Sequence, residues 1–235
     1  LAVGSTVKGV LDWSRRYDNM QNHTGEHVIS GLIHKKYGFD NVGFHMDEDV
    51  ITVDFDGVIP ANELLAIEQQ VNDAIYADIP VNVLFPSAEE LKAMDYRSKK
   101  ELTGKVRIVD IPGCDRCACC GTHVARTGEI GLLKVLSSEK HRGGTRILFV
   151  CGARALRDYA AKNASVRRIS ELLSAKPAEV AEAVEKLLTA QNLKESEVIE
   201  LKKKLLTLKA EALPASDTVI IRFEDGMTPQ EQIEA

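Results

Sequence analysis

The chain has 235 residues, of which 44% are hydrophobic, 28% are charged and 5% are aromatic, and its formal charge is −5. This length allows one large domain or two modest ones, with enough apolar residues for a sizeable core. No apolar run approaches the ~18 residues of a membrane-spanning helix, and an acidic average argues against nucleic-acid binding, because nucleic-acid-binding domains are usually basic.

The apolar periodicity of the first 160 residues predicts an α+β fold. Strands are expected where apolar and polar residues alternate or where short apolar runs occur, at residues 1–12, 43–57 (a hairpin), 81–85, 106–111, 130–137 and 145–151. Helices are expected where apolar residues recur every three or four positions, at residues 15–36, 60–79 and 88–94. Because βαβ regularity is missing, we predict an antiparallel sheet sandwich with helices packed over it.

A single helical register dominates the chain after residue 160. Apolar positions at steps of three and four run from Val180 to Ala212, between Pro177 and Pro214. This pattern predicts a long C-terminal helix, packed either on its own domain or in a coiled coil that could form a homodimer. Thr218–Phe223 resembles the first strand of a further module. The expected organisation is a domain at 1–160, a helical linker or coiled-coil arm at 161–213 and the start of another module at 214–235.

Two pairs of side chains have the spacing of metal ligands. His23 and His27 are four residues apart on a predicted helix, so both imidazoles project from nearly the same face. Cys119 and His123 place a thiol and an imidazole four residues apart. Two histidines from one segment with a cysteine and a histidine from another form an N/S set that suits Zn²⁺. The sequence therefore predicts a zinc site.

The clustered cysteines allow two other interpretations of the site. Cys114, Cys117, Cys119 and Cys120 fall within seven positions and could form a separate Cys₄ site, although four thiolates there would be cramped. A third interpretation is a redox-active pair formed by Cys114 and Cys117. The sequence around this pair does not show the preceding strand and the following helix of a thioredoxin-like unit. Cys151, in an apolar run, is expected to be a small buried side chain.

Cysteine usage also indicates a compartment. Clustered cysteines favour a metal or redox site in a reducing environment over a disulfide framework, and the first residues do not resemble a signal peptide. We therefore expect a cytoplasmic protein.

Several short motifs surround the predicted ligands. They read Asn22-His23-Thr24-x-x-His27, Cys119-x-Gly121-Thr122-His123-Val124, Thr127-Gly128-Glu129-Ile130-Gly131, Gly143-Gly144-Thr145-Arg146-Ile147 and Val150-Cys151-Gly152. Over roughly residues 3–160 the chain resembles the editing domain of alanyl-tRNA synthetase. This second additional domain also occurs in threonyl-tRNA synthetase and in free-standing alanyl-tRNA editing proteins of the AlaX type. The resemblance implies Zn²⁺ on His23, His27, Cys119 and His123, and hydrolysis of the ester that joins serine, or sometimes glycine, to tRNA(Ala).

The resemblance also carries expectations about the rest of the chain. Because no class II aminoacylation domain fits in this length, a free-standing protein is the better match. The long helix and the Thr218–Phe223 segment resemble the linker and the opening of the DHH-associated module of long forms. Two departures are visible. The N-terminal barrel is missing, with residues 1–12 as its last strand, and the usual Cys-Gly-Gly-Thr-His reads Cys119-Cys120-Gly121-Thr122-His123, so Cys120 could compete for the metal.

Helix geometry suggests two catalytic helpers beside the histidines. Thr24 and Glu26 lie about 80° to either side of the His23–His27 face. Glu26 is expected to act as a general base and Thr24 as a hydroxyl donor that positions water or substrate. The alternatives are a solvated carboxylate for Glu26 and local backbone capping for Thr24. His45 is expected to be a sheet residue with satisfied hydrogen bonds rather than part of the pocket.

The charge of the chain is unevenly distributed. Between Lys92 and Arg168 there are 17 Lys and Arg residues against seven Asp and Glu residues, a local balance of +10. This stretch, which contains Cys119 and His123, is expected to face the phosphate backbone of the tRNA(Ala) acceptor stem. The candidate tRNA-binding residues are Lys99, Lys100, Lys105, Arg142 and Arg146.

Two functions remain in competition. The first is a zinc-dependent deacylase of mischarged tRNA(Ala) acting in trans, and the second is a non-catalytic, zinc-containing tRNA-binding module with a coiled-coil partner. The complete ligand set favours the enzyme. A site that hydrogen-bonds the serine hydroxyl would spare alanine, because alanine leaves the polar groups of the site unpaired.

Overall fold

The computed structural model describes residues 2–98 and 104–212, and the chain divides into two compact units, 1–161 and 162–235. The helices are α1 (Trp13–Tyr37), α2 (Ala61–Tyr76), α3 (Ala88–Ala93), α4 (Gly152–Leu173) and α5 (Val180–Glu211). The strands are β1 (Asn41–Met46), β2 (Ile51–Phe55), β3 (Asn82–Leu84), β4 (Ile108–Ile111), β5 (Asp115–Ala118), β6 (Leu133–His141) and β7 (Gly144–Cys151).

The described strands form two antiparallel sheets. One has four strands in the order β1-β2-β7-β6, and the other has three in the order β3-β4-β5. The inner faces of the sheets pack against α1 and α2 around a core that includes Ile29, Phe55, Ile67 and Phe149. This arrangement confirms the predicted α+β fold with helices on antiparallel sheets.

The boundaries of α1 follow from local sequence. The Asp12 side chain accepts a hydrogen bond from the backbone N–H of Arg15 and caps the first turn. Gly38 ends the helix in the left-handed conformation, with φ 71°, and its N–H donates to the His34 carbonyl. The helix therefore ends within one residue of its predicted boundary at residue 36.

Two glycines let α1 approach both sheets closely. A Cβ on Gly25 would lie 2.4 Å from Cys151 Sγ of β7, and one on Gly31 would lie 2.4 Å from the Cys114 carbonyl and 2.5 Å from Asp115 Cβ. Such distances exclude any larger side chain without a shift of the neighbouring backbone at Gly31. The close contact brings the histidine face of α1 against β5 and the loop that follows it. Cys151 is fully buried, as expected.

Three sequence expectations are corrected by the structure. Residues 2–12 form no strand, since a strand exists only through hydrogen bonds to a neighbour and none of the described strands lies beside them. The segment 115–118, which none of the predicted strands covers, is a strand paired with β4. Strand β6 begins at Leu133 rather than at residue 130, because Thr127–Ile130 forms a 3₁₀ turn.

The second unit contains the predicted long helix. Pro177 opens a short 3₁₀ turn, after which α5 runs to Glu211. Its apolar side chains are exposed, and pairing of α5 with a second copy stays a prediction. The expected strand at Thr218–Phe223, the module at 214–235 and Pro214 lie outside the described residues.

Among the described helices, none combines the length and the apolar character that crossing a membrane would demand.

Candidate metal centre

The structure brings the four predicted ligands together. The donor atoms of His23, His27, Cys119 and His123 all lie within 4.8 Å of one another. The two α1 histidines come from successive turns, while Cys119 and His123 come from the loop after β5. His123 Nε2 is buried without a hydrogen-bond partner, which is expected of an atom that has a metal ion as its partner. The donor set and this orphaned atom fit a zinc ion.

Each of the three histidines has an acceptor on its Nδ1. His23 Nδ1 lies 3.1 Å from the Thr122 carbonyl, and His27 Nδ1 lies 2.8 Å from Asp115 Oδ2. His123 Nδ1 lies 3.2 Å from Thr24 Oγ1. An Nδ1–H that donates to these oxygens leaves the lone pair on Nε2. The surroundings therefore select, for all three rings, the tautomer that can bind a metal through Nε2.

The Thr24 hydroxyl is fully used inside the protein. It donates to the Met20 carbonyl at 2.8 Å, and it accepts from the Val124 N–H at 3.2 Å and from the His123 ring. A hydroxyl offers one donor and two acceptor positions, so all are occupied. Thr24 is also fully buried. This geometry leaves no capacity for the expected hydrogen bond to water or substrate, and it places Thr24 behind His123 instead.

Electrostatics prepares Cys119 and His123 as ligands. Burial would raise the pKa of Cys119, but the neighbouring imidazole rings of His123, His23 and His27, together with the charge of His27, lower it to about 3. Burial lowers the pKa of His123 to about 4, aided by repulsion from His27 and His23. At neutral pH Cys119 is a thiolate and His123 is a neutral imidazole, the forms that coordinate metals.

The positive charge of His27 compensates the negative charge of the Cys119 thiolate. Burial lowers the pKa of His27, but hydrogen bonds to Asp115 and Cys119, together with the charge of Glu26, raise it to about 10. The imidazolium of His27 therefore faces the Cys119 thiolate. A metal ion would take the place of the proton on Nε2.

The other cysteines do not form a Cys₄ site among the described residues. Cys120 is exposed and lies outside the donor group, which gives it no ligand position in this geometry. Cys114 and Cys117 are buried, and burial raises the pKa of both thiols, that of Cys117 to about 12. Cys117 belongs to a second close group, with His27 and Asp115.

Glu26 is a buried carboxylate, not a solvated one. It is 4% exposed, and its Oε1 accepts from Ser30 Oγ at 2.8 Å and from Asn41 Nδ2. Its second oxygen, Oε2, lies 3.9 Å from His27 Nε2. One oxygen is therefore anchored while the other faces the donor group. Asn41 comes from β1, and its spacing in the sequence gives no signal of this contact.

Aromatic and glycine neighbours hold the His23 ring. Phe44 stacks on one side at a centroid distance of 5.9 Å, and His123 stacks at 4.2 Å. A Cβ on Gly121 would lie 2.2 Å from His23 Cε1, so the loop can approach the ring only with glycine there. The β1 alternation could have identified Phe44, because it places Phe44 and the exposed His45 on opposite faces.

The candidate tRNA-binding residues have different surroundings. Lys99 and Lys100 lie outside the described residues. Lys105 is exposed, with Nζ 5.0 Å from the Phe85 ring centroid, and Arg142 is exposed in the turn between β6 and β7. Arg146 instead makes two hydrogen bonds to Asp54 on the neighbouring strand, at 2.7 and 2.9 Å.

Sequence reasoning missed Arg107. Its Nη1 donates to the carbonyls of Cys119 and Gly121, at 2.6 and 3.1 Å, and so ties the ligand loop to the segment before β4. The number of basic residues in this stretch indicates a charged surface, but it does not indicate which of them serves the loop.

The chain is similar in sequence to alanyl-tRNA editing proteins and to a domain of two aminoacyl-tRNA synthetases. Residues 106–148 match the family described as "Threonyl and Alanyl tRNA synthetase second additional domain". The alanyl-tRNA editing protein Aarsd1 of Danio rerio is 33% identical over 193 residues, which are 80% of this chain and 47% of that protein. The alanyl-tRNA editing protein AlaX-L of Pyrococcus horikoshii is 33% identical over 220 residues, covering 89% and 53%.

A synthetase is also similar. The alanine–tRNA ligase of Thermofilum pendens is 32% identical over 242 residues, which cover 97% of this chain and 27% of the ligase. The chain spans about half the length of the curated editing proteins it matches. Residues 106–148 therefore match the second additional domain of threonyl- and alanyl-tRNA synthetases, and most of the chain is similar to alanyl-tRNA editing proteins.

Proposed function

We propose that this chain is a zinc-dependent hydrolase that deacylates mischarged tRNA(Ala) in trans, chiefly Ser-tRNA(Ala) and also Gly-tRNA(Ala). The observation that carries the proposal is the convergence of four donor atoms within 4.8 Å, with an acceptor on the Nδ1 of each of the three histidines in the group. When bound, zinc would polarise the ester carbonyl or lower the pKa of a water molecule if one protein donor is displaced or the coordination shell expands beyond four.

The proposal gives each neighbouring residue a separate role. His23, His27, Cys119 and His123 hold the metal, and Thr24 orients His123 through its hydroxyl. Four protein donors are the usual pattern of a structural zinc site. Glu26 is the feature that favours catalysis, because its second oxygen faces the same atoms. This oxygen can accept a proton from water as the water attacks the ester carbonyl, and the proton can then pass to the departing ribose oxygen as the ester bond breaks.

Substrate choice follows from the polar character of the centre. A buried polar site that binds the serine hydroxyl discriminates strongly against alanine, whose methyl group would leave those polar groups unpaired. A site that measured only size would separate serine from alanine poorly. We expect the cognate Ala-tRNA(Ala) to be spared for this reason.

The test is the release of serine from Ser-tRNA(Ala) by the wild-type chain, with Ala-tRNA(Ala) as the matched control. We expect hydrolysis well above the spontaneous rate for the seryl ester but not for the alanyl ester, about one zinc per chain, and loss of activity after chelation. Zinc content below about half an equivalent would contradict the metal centre. Zinc binding and tRNA binding without serine release would favour the non-catalytic module.

The salt dependence of tRNA binding tests the proposed electrostatic surface. Lys105→Gln should weaken binding and reduce the slope of log affinity against log salt by about 1, because one phosphate contact is lost. Arg146→Gln should leave the slope unchanged, since Asp54 already neutralises this guanidinium. Equal slopes for wild type and Lys105→Gln would remove Lys105 from the interface.

A further inference from the structure

A buried chain of charged side chains runs from the β4–β5 sheet to the metal centre. Arg97 donates to Asp115 through Nε at 2.8 Å and through Nη2 at 3.0 Å. Asp115 Oδ2 in turn accepts from His27 Nδ1 at 2.8 Å. The three side chains are 12%, 1% and 4% exposed, so solvent does not compete for these hydrogen bonds.

The fold fixes the positions of Arg97 and Asp115. Arg97 lies beside β5, where its N–H donates to the Arg116 carbonyl at 2.8 Å and its own carbonyl accepts from the Ala118 N–H at 2.9 Å. Asp115 is held against α1 by the close approach of Gly31. The carboxylate therefore meets the His27 ring in a position that the fold determines.

Asp115, His27 and Cys117 do not form a second metal site. Both carboxylate oxygens of Asp115 already accept from the Arg97 guanidinium, whose positive charge opposes a cation at this place. The Nδ1 of His27 is occupied by the same carboxylate. The group therefore acts on the first centre, through His27.

We propose that Asp115 is a positioning residue of the metal centre, and that Arg97 fixes Asp115 in turn. This inference rests on the proposed zinc site. The carboxylate retains the Nδ1–H tautomer of His27 and prevents rotation of its ring, so that Nε2 stays directed at the metal. An acceptor behind a metal-binding histidine commonly strengthens metal binding by about 10- to 100-fold.

The test compares Asp115→Ala with a matched variant on the neighbouring strand, Asp110→Ala. Asp110 also pairs with an arginine, Arg116, at 2.8 Å, but it contacts no histidine of the centre. We expect the zinc affinity, measured by competition with a chelator, to fall by about 10- to 100-fold in Asp115→Ala and to stay unchanged in Asp110→Ala. Asp115→Asn, which keeps an acceptor oxygen, should recover part of the loss.

Melting temperatures with and without zinc separate positioning from simple destabilisation. A purely structural role would lower both melting temperatures of Asp115→Ala and preserve the zinc-induced increase, whereas a positioning role reduces that increase. The absorption spectrum of bound Co²⁺ should also change in Asp115→Ala, because the His27 ring is then free to rotate and the coordination geometry changes.

The outcomes distinguish this inference from the proposed function. If the wild type binds zinc and Asp115→Ala binds it equally tightly, with an unchanged Co²⁺ spectrum, the positioning role is wrong while the zinc site stands. If the wild type itself binds no zinc, the proposed metal centre fails first.

Discussion

Replacing His23 with alanine is expected to abolish both zinc binding and the release of serine from Ser-tRNA(Ala). His23 supplies one of the four donors, and its Nε2 lies 3.6 Å from Cys119 Sγ. With the ring removed, three donors remain and the Phe44–His23–His123 stack loses its centre. Because a metal ion contributes several kcal/mol to transition-state stabilisation, we expect the rate to fall about a thousandfold or more.

The control is another histidine of the same helix. His34 is 40% exposed at its side chain, pairs with Asp40 and does not belong to the donor group. His34→Ala should therefore retain zinc and activity. If wild type and His23→Ala release serine at the same rate, this chain is not the proposed enzyme. If His23→Ala keeps a full equivalent of zinc, the ligand assignment is wrong.

Glu26→Gln is expected to lower kcat by about 10²- to 10⁴-fold while zinc stays bound, the range that general base catalysis usually covers. Glutamine has the same shape, and its carbonyl can still accept from Ser30 and Asn41. Its amide cannot take up a proton, so only the chemical step is affected. Zinc content and single-turnover hydrolysis of Ser-tRNA(Ala) measure the two effects separately.

The same substitution of glutamate by glutamine at the protein surface shows whether the loss of kcat is specific to the metal centre. Glu63 on α2 pairs with Lys36 outside the donor group, and Glu63→Gln should leave hydrolysis unaltered. Full activity in Glu26→Gln would exclude Glu26 as the general base and leave it only a structural role, through its hydrogen bonds with Ser30 and Asn41. Loss of zinc together with activity would instead indicate a structural effect on His27.

Helical periodicity allowed much of the site to be predicted. Residues four apart on a helix share a face whatever the rest of the fold does, so the side-by-side placement of His23 and His27 needs no tertiary information. The boundaries of α1, the β1–β2 hairpin and the start of α5 also depend on short-range signals, such as Gly38 and Pro177. Cys119 and His123 are far from α1 along the chain, so spacing could not place them near His23 and His27. They were assigned to the same site because a cysteine and three histidines form a donor set that suits zinc.

The surroundings of the ligands were decided by tertiary structure alone. Asp115 reaches His27 across 88 residues, and Asn41 meets Glu26 from another sheet. Thr24 was predicted correctly to lie beside the histidines, but the direction of its hydroxyl depends on where the backbone of Val124 passes. The short strand β5 was missed because Asp115–Ala118 has only four residues, two of them charged, and shows no clear apolar period. Pairing with β4 defines it as a strand.

The sequence by itself therefore determined which side chains are the candidate metal ligands, because residue type and helical spacing are local properties. Only the tertiary structure decided which ring nitrogen of each histidine carries the lone pair and can bind a metal. Tautomer and ring orientation are set by the acceptors behind Nδ1, namely Asp115, the Thr122 carbonyl and Thr24, and packing alone brings these to the rings.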